Sequence, residues 1–271
     1  NNGNFIRFII FSSSFLLKTA ETAAFSGDAR IVGGKRAQLG MFPYQVAVFI
    51  YDKENKSYIC GGSIIDENWI LTAGHCTYDR VRAIVIAATV DLSGPTPNQQ
   101  VIFVNDTSDL MTHPEYKREK VVNDIALIRL PTSIQTNEYA GVVTLRSNDK
   151  SSYIGKNVTA SGFGKTSDSS QPSQHLMWTT LTVISNTVCA RSYQPGLVDN
   201  TKLCTSAGNI FRPHSTCQGD SGGPLVLTET YEQIGLVSFG GDSCQRGTPV
   251  AFTRISAHKQ FIEGTTGLTF D

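Results

Sequence analysis

The chain has 271 residues, enough for one large domain or two small ones. Hydrophobic residues make up 40% and charged residues 17%, which supplies a core and excludes wholesale disorder. Its 23 basic and 23 acidic residues cancel to a net charge of +0, which argues against nucleic acid as a partner and against an acidic tail.

In chain order, the first segment reads as targeting rather than fold. Arg7 precedes an apolar stretch over 8–17, broken by Ser12, Ser13 and Ser14, and small residues Ala20, Ala23 and Ala24 follow. That is the layout of a secretory signal peptide, expected over 1–24 with its start expected to be missing, since no initiator Met is present. The stretch is shorter than the roughly 20 residues a membrane helix needs, so no membrane partner is expected and the mature protein should be extracellular. Short strands with turn residues between them then run almost throughout. The first half predicts strands over 44–51, 63–71, 81–90, 100–104 and 125–130. The second half predicts them over 157–162, 176–184, 224–227, 234–239 and 250–255. One helix is expected over 256–264, with Ser256 as its N-cap and Gly264 as its stop. The polar stretch 149–156 is placed as the link between the halves. With 24 glycines and so little helix, the pattern implies an all-β protein of sandwich or barrel type.

Six cysteines in an exported chain favour disulfides, and spacing alone leaves their pairing open. Neighbours in sequence are Cys60 with Cys76, Cys189 with Cys204, and Cys217 with Cys244. A zinc site is the weaker reading, because no Cys-x-x-Cys pair exists. Asn55, Asn105 and Asn157 begin glycosylation sequons, so a glycoprotein is expected.

Three short motifs carry the chemistry. Leu71-Thr72-Ala73-Gly74-His75-Cys76 sets a histidine beside a cysteine. Asn123-Asp124-Ile125-Ala126-Leu127 sets an acid ahead of an apolar run. Gly219-Asp220-Ser221-Gly222-Gly223-Pro224 sets a serine among glycines. Any one alone reads as a surface polar residue or a turn. Together they supply a nucleophile, a base and an acid that orients the base. Gly219-Asp220-Ser221-Gly222-Gly223 also fits the nucleophile elbow of α/β-hydrolases, which needs the order serine, acid, histidine. Asp242 and His258 do follow Ser221. However, Pro224 and the apolar 225–227 predict a strand after the serine, where an elbow needs a helix. The preferred order is therefore His75, Asp124, Ser221.

These motifs, with Ile31-Val32-Gly33-Gly34 and Cys60-Gly61-Gly62-Ser63, resemble the chymotrypsin-fold serine proteases from Ile31 to about Leu268. The style is similar to arthropod chymotrypsin-like and collagenolytic enzymes. The resemblance implies two antiparallel six-stranded β-barrels with the site between them and a short C-terminal helix. It implies the three neighbouring disulfides named above. It implies a protease domain over 31–271 that follows an activation propeptide over 25–30. Cleavage of Arg30-Ile31 would free an amino group to pair with Asp220. His75, Asp124 and Ser221 would be catalytic, and the N–H groups of Gly219 and Ser221 would form the oxyanion hole. Ser215, Gly240 and Val250 would shape an apolar substrate pocket, with Asp242 near its rim. The expected partners are protein or peptide substrates, an activating trypsin-like protease and protein protease inhibitors. Gly74, Phe163 and Phe239 depart from the family's usual Ala, Trp and Trp. The loop 91–100 lacks the paired acids that hold calcium in trypsin-like relatives, and the mechanism needs no cofactor or metal. The rival reading is a silent homologue that binds or regulates, although such homologues usually lose a triad residue.

Overall fold

The computed structural model describes residues 31–147, 152–209 and 211–270. The expected leader and activation segment lie outside the described residues, as does part of the expected link. In the first half the strands are β1 (Lys35–Arg36), β2 (Gln45–Tyr51), β3 (Ser57–Asp66), β4 (Trp69–Thr72), β5 (Arg82–Ala87), β6 (Gln100–Val104), β7 (Leu110–Thr112) and β8 (Ala126–Arg129). In the second half they are β9 (Asn157–Gly162), β10 (Met177–Ile184), β11 (Lys202–Thr205), β12 (Gly208–Asn209), β13 (Arg212–Pro213), β14 (Pro224–Leu227), β15 (Gln233–Phe239) and β16 (Val250–Arg254).

β9, β10, β11, β16, β15 and β14 pair in a closed ring, so the second half is a six-stranded barrel, with β1 added beside β10. The first half is a curled sheet in the order β6-β5-β2-β3-β4-β8-β7. Its end strands are separated by a tight 3₁₀ turn over Thr107–Asp109, capped by Asp106 accepting from Ser108 N–H. β7 has only three residues, which leaves little edge for a further pairing.

The strands form where apolar residues can be buried. β5 alternates half-buried and buried positions residue by residue, the pattern of a strand with one face on a core. β2 is buried almost throughout: β3 and β5 take up its backbone edges, and Val46, Ala47, Val48 and Ile50 pack into the core. One core runs from Val46 and Ile50 through Leu127 to Phe163, Leu176 and Ile262, and so joins the two halves. A second, around Leu181, Leu225 and Phe252, fills the closed barrel. Each such side chain contributes about 1.5–3 kcal/mol on burial.

Two expectations are corrected. The single strand over 63–71 is two, because Glu67 and Asn68 turn the chain and Asn68 N–H bonds back to Asp66 Oδ1 at 2.9 Å. The C-terminal helix does not stop at Gly264. A 3₁₀ turn over Ser256–His258 leads into α-helix Lys259–Thr266. The helix ends at Gly267, whose φ of 75° suits a residue without Cβ and whose N–H bonds to Glu263 O.

All three neighbouring disulfides are present: Cys60–Cys76, Cys189–Cys204 and Cys217–Cys244. They close short loops, worth roughly 3 kcal/mol each in the chain-entropy model.

Candidate active site

β4 ends at Thr72 and the chain turns at once into a one-turn helix, Gly74–Thr77, that carries His75. Cys76 ties this turn to Cys60 in β3. Glycine at position 74 has a local reason, since a Cβ there would lie 3.1 Å from both Ile125 N and the Tyr116 ring. Asp124 stands just ahead of β8. Asn123 before it takes a φ of 52°, and the turn closes through Ile125 N–H to Asn123 O at 2.8 Å. The apolar run after Asp124 enters the core and takes the carboxylate with it, to full burial.

That burial would be costly for an unpartnered carboxylate. Asp124 has several partners. His75 Nδ1–H donates to Oδ2 at 2.9 Å, with Oδ1 at 3.1 Å, and the His75 backbone N–H donates to Oδ1 at 2.8 Å. Ser238 Oγ–H donates to Oδ2 at 2.6 Å, and Thr253 Oγ1–H donates to the Asp124 carbonyl at 2.7 Å. Burial disfavours both charges, yet the pairing more than offsets it. Asp124 is held below the usual carboxylate range, and His75 is held above the ordinary imidazole value.

Ser221 comes from the other half. Its carbonyl accepts from Gly61 N–H at 2.8 Å, and the Cys76 sulfur lies 3.6 Å from it. A Cβ on Gly222 would lie 2.2 Å from Thr72 Oγ1 and 2.8 Å from Ala73 N. The serine turn is thus pressed against the strand end that leads to His75. Among the described residues the Ser221 hydroxyl makes no hydrogen bond, so the Ser221–His75 link is open in this structure. Such links often tighten only when substrate is bound.

Gly219 has a φ of 99°, and a Cβ there would come within 2.9 Å of Gly164 Cα. Among the described residues, the N–H groups of Gly219 and Ser221 meet no protein acceptor, while Asp220, Gly222 and Gly223 spend theirs on Cys217 O, Val237 O and Asp220 O. Asp220 is fully buried and accepts from Gly164 N–H at 2.8 Å and Cys217 N–H at 2.9 Å. Burial pushes its carboxyl up to about 7. Ile31 is likewise fully buried, and Val32 bridges to Ser215, whose N–H donates to Val32 O at 3.2 Å.

A cavity of about 240 Å³ opens beside Ser221. Ser215, Val237, Phe239, Gly240 and Asp242 line it, and the Cys217–Cys244 disulfide braces it. Ser215 is buried in its wall and donates its hydroxyl to Thr216 O at 2.8 Å. Asp242 is exposed. Val250 does not border the cavity. It is buried one layer behind, with a methyl 4.0 Å from where a Cβ on Gly240 would stand. The sequence reading missed Ser238 and Thr253. Their positions, 114 and 129 residues from Asp124, carry no local signal of the contact.

The trypsin family pattern matches residues 31–262. A collagenase of Hypoderma lineatum is 33% identical over 268 residues, covering 94% of this chain and 98% of its own. Brachyurin of Leptuca pugilator is 36% identical, covering 88% of this chain and all of its own length. A venom protease of Bombus pensylvanicus is 32% identical, covering 84% of this chain and 96% of its own. A solved collagenase structure superposes with a TM-score of 0.78 at 31% identity, over 89% of this chain and 100% of that one. The chain belongs to the trypsin family. Within it, the protein is a serine endopeptidase of the arthropod chymotrypsin-like kind, on the chymotrypsin fold.

Proposed function

We propose that the protein is a secreted zymogen that, once cut between Arg30 and Ile31, hydrolyses peptide bonds through an acyl-enzyme on Ser221. The observation that carries this is the grip of Asp124 on both the ring and the backbone N–H of His75, across the cleft from a serine turn with two uncommitted N–H donors. His75 takes the Ser221 proton as the hydroxyl attacks the substrate carbonyl, then returns it to the leaving amine. Asp124 holds the Nδ1–H tautomer and stabilises the imidazolium. Gly219 and Ser221 N–H groups receive the oxyanion, each such donor worth about 2.7–4 kcal/mol.

Activation rests on Asp220. Among the described residues no cationic side chain pairs with its buried carboxylate. The Ile31 amino group freed by cleavage would supply that charge and lock the 219–221 turn. Specificity rests on the cavity: Ser215 offers a hydroxyl in its wall and Asp242 sits out in solvent, so a buried Lys or Arg would lack a buried counter-charge. Val237 and Phe239 give the wall its apolar part among several hydroxyl groups, and Phe, Tyr, Leu and Met are the side chains expected to enter it. Cleavage after Arg30 therefore falls to a trypsin-like protease in trans. Protein protease inhibitors would enter the same cleft. Asn55, Asn105 and Asn157 are exposed, which leaves their sequons open to glycosylation.

An active-site organophosphonate tests the reading. The cleaved protein should label at Ser221 and the uncleaved chain should not. A cleaved protein that stays unlabelled would show a silent homologue.

A further inference from the structure

The segment between β15 and β16, residues 240–249, has no regular secondary structure, and its first half, residues 240–244, forms the rim of the primary cavity. It opens with Gly240 and Gly241, and a Cβ on Gly241 would lie 2.9 Å from Thr248. A rim built this way needs anchors if it is to hold a side chain in a fixed place. The Cys217–Cys244 disulfide is one.

We infer that Asp168 is a further anchor, a positioning residue that latches the cavity rim from the neighbouring 163–176 loop and so sets how tightly the side chain before the scissile bond is held. This rests on the reading of the Ser215–Cys244 cavity as the primary pocket. Asp168 Oδ2 accepts from Ser243 Oγ–H at 2.6 Å, and Oδ1 accepts from Cys244 N–H at 2.8 Å. In the reverse direction, Asp168 N–H donates to Gln245 Oε1 at 3.0 Å. Three consecutive residues of this segment are thus held by one residue, and the two that line the rim are held through an ionised acceptor, whose bonds are about twice as strong as neutral ones. The same bonds, chiefly that from Ser243, hold the Asp168 carboxyl below its ordinary range, helped by Arg246 and Lys165.

The loop that carries the latch is itself braced. Ser170 Oγ accepts from Thr166 N–H at 3.0 Å and Ser167 N–H at 3.2 Å, and Lys165 bridges to Pro172. Lys165 N–H also donates to Gln218 O at 2.7 Å, which ties the loop base to the residue before Gly219. One short loop therefore touches both the serine turn and the pocket rim, and can hold them in register. Ser243 and Cys244 line the cavity, whereas Asp168 does not, so its effect on substrate must pass through them.

The test compares cleaved wild-type enzyme with Asp168→Ala, Asp168→Asn and Ser243→Ala. Matched peptide anilides carry Phe or Ala before the scissile bond, and active sites are counted by organophosphonate titration. Loss of a charge-assisted bond corresponds to about a tenfold effect. We expect KM for the Phe substrate to rise about tenfold in Asp168→Ala with kcat per active site nearly kept, and the Ala substrate to lose far less. Asp168→Asn and Ser243→Ala should give smaller losses of the same kind. Equal losses on both substrates, or a loss only in the number of titratable sites, would overturn the latch. If Asp168→Ala does not fold, the two milder variants decide by the same split. A wild-type enzyme that does not distinguish Phe from Ala would instead refute the pocket reading itself.

Discussion

Ser238 donates its hydroxyl to Asp124 Oδ2 over 2.6 Å, from a strand 114 residues further along the chain. With this bond and the two from His75, the buried carboxylate is fixed in rotation as well as position. Hydrogen bonds to charged groups are worth about 1.5–3 kcal/mol. Ser238→Ala should therefore lower kcat by at least about tenfold and change KM less, because the bond acts on the base although Ser238 also borders the cavity. Steady-state kinetics on one peptide substrate check this. An unchanged kcat would show that the two His75 contacts alone orient Asp124.

A second expectation concerns pH. His75 must be neutral to act as base, and Asp124 holds its pKa above the ordinary value of about 6.5. Activity should thus be lost, as pH falls, at a midpoint above that value. Stability runs the other way. The His75 contribution is complete below about 6.5 and is lost as pH rises through its raised pKa. The Asp124 contribution is present above about 3.9 and is lost as pH falls through its lowered one. The pair therefore stabilises the fold most between about pH 4 and 6.5, below the range in which the enzyme works best. Thermal melts of wild type and His75→Ala across pH would show a difference largest in that window.

The oxyanion hole gives a third. Gly219 combines a φ of 99° with a close approach to Gly164. Gly219→Ala is strained in both respects, so the turn should shift and its N–H should lose its aim. The expected loss is about 10²–10³ in kcat, the size seen for one oxyanion donor. Organophosphonate labelling should slow in parallel, while the melting temperature changes less than the rate.

The N-terminus gives a fourth. A free α-amino group titrates near 7.7–8.0, and pairing with Asp220 should raise that value. The stabilisation is present below the unfolded value and lost as pH climbs through the raised one. Activity should fall on the alkaline side accordingly. Asp220→Asn should remove most activity from the cleaved enzyme, since a broken buried pair costs about 3–5 kcal/mol. Acetylating the Ile31 amine should reproduce the alkaline state at neutral pH. Full activity with residues 25–30 still attached would refute the activation scheme.

Pocket chemistry gives a fifth. Ser215→Asp places a carboxylate at a buried position of the cavity wall, beside Val32. Cleavage after Lys and Arg should appear, and cleavage after Phe and Leu should weaken. In the wild type, Lys or Arg substrates that outperform both Leu and Phe in kcat/KM would mean that Asp242 reaches further into the cavity than its exposure indicates.

Much of this protein was determined locally. His75, Asp124 and Ser221 announce themselves because each sits in a short motif whose neighbours do a nearby job: Cys76 braces the helix turn, the apolar run after Asp124 buries it, and Gly219 and Gly222 take the positive φ angles that the serine turn needs. Alternation of side chains along a strand also shows in sequence, and the strands over 100–104, 157–162 and 224–227 lie where it put them. The tertiary structure decided what depends on residues far apart in sequence. Only folding brings Ser238 and Thr253 to Asp124, sets Asp168 against the pocket rim, and moves Val250 one layer behind the cavity. It also decided that the second sheet closes while the first curls, because ring closure depends on β9 meeting β14 as well as its neighbour β10, and β14 lies far along the chain. A hydrogen bond between positions more than 70 residues apart leaves no periodicity and no spacing to read, since each partner alone is an ordinary polar residue in a strand or a loop.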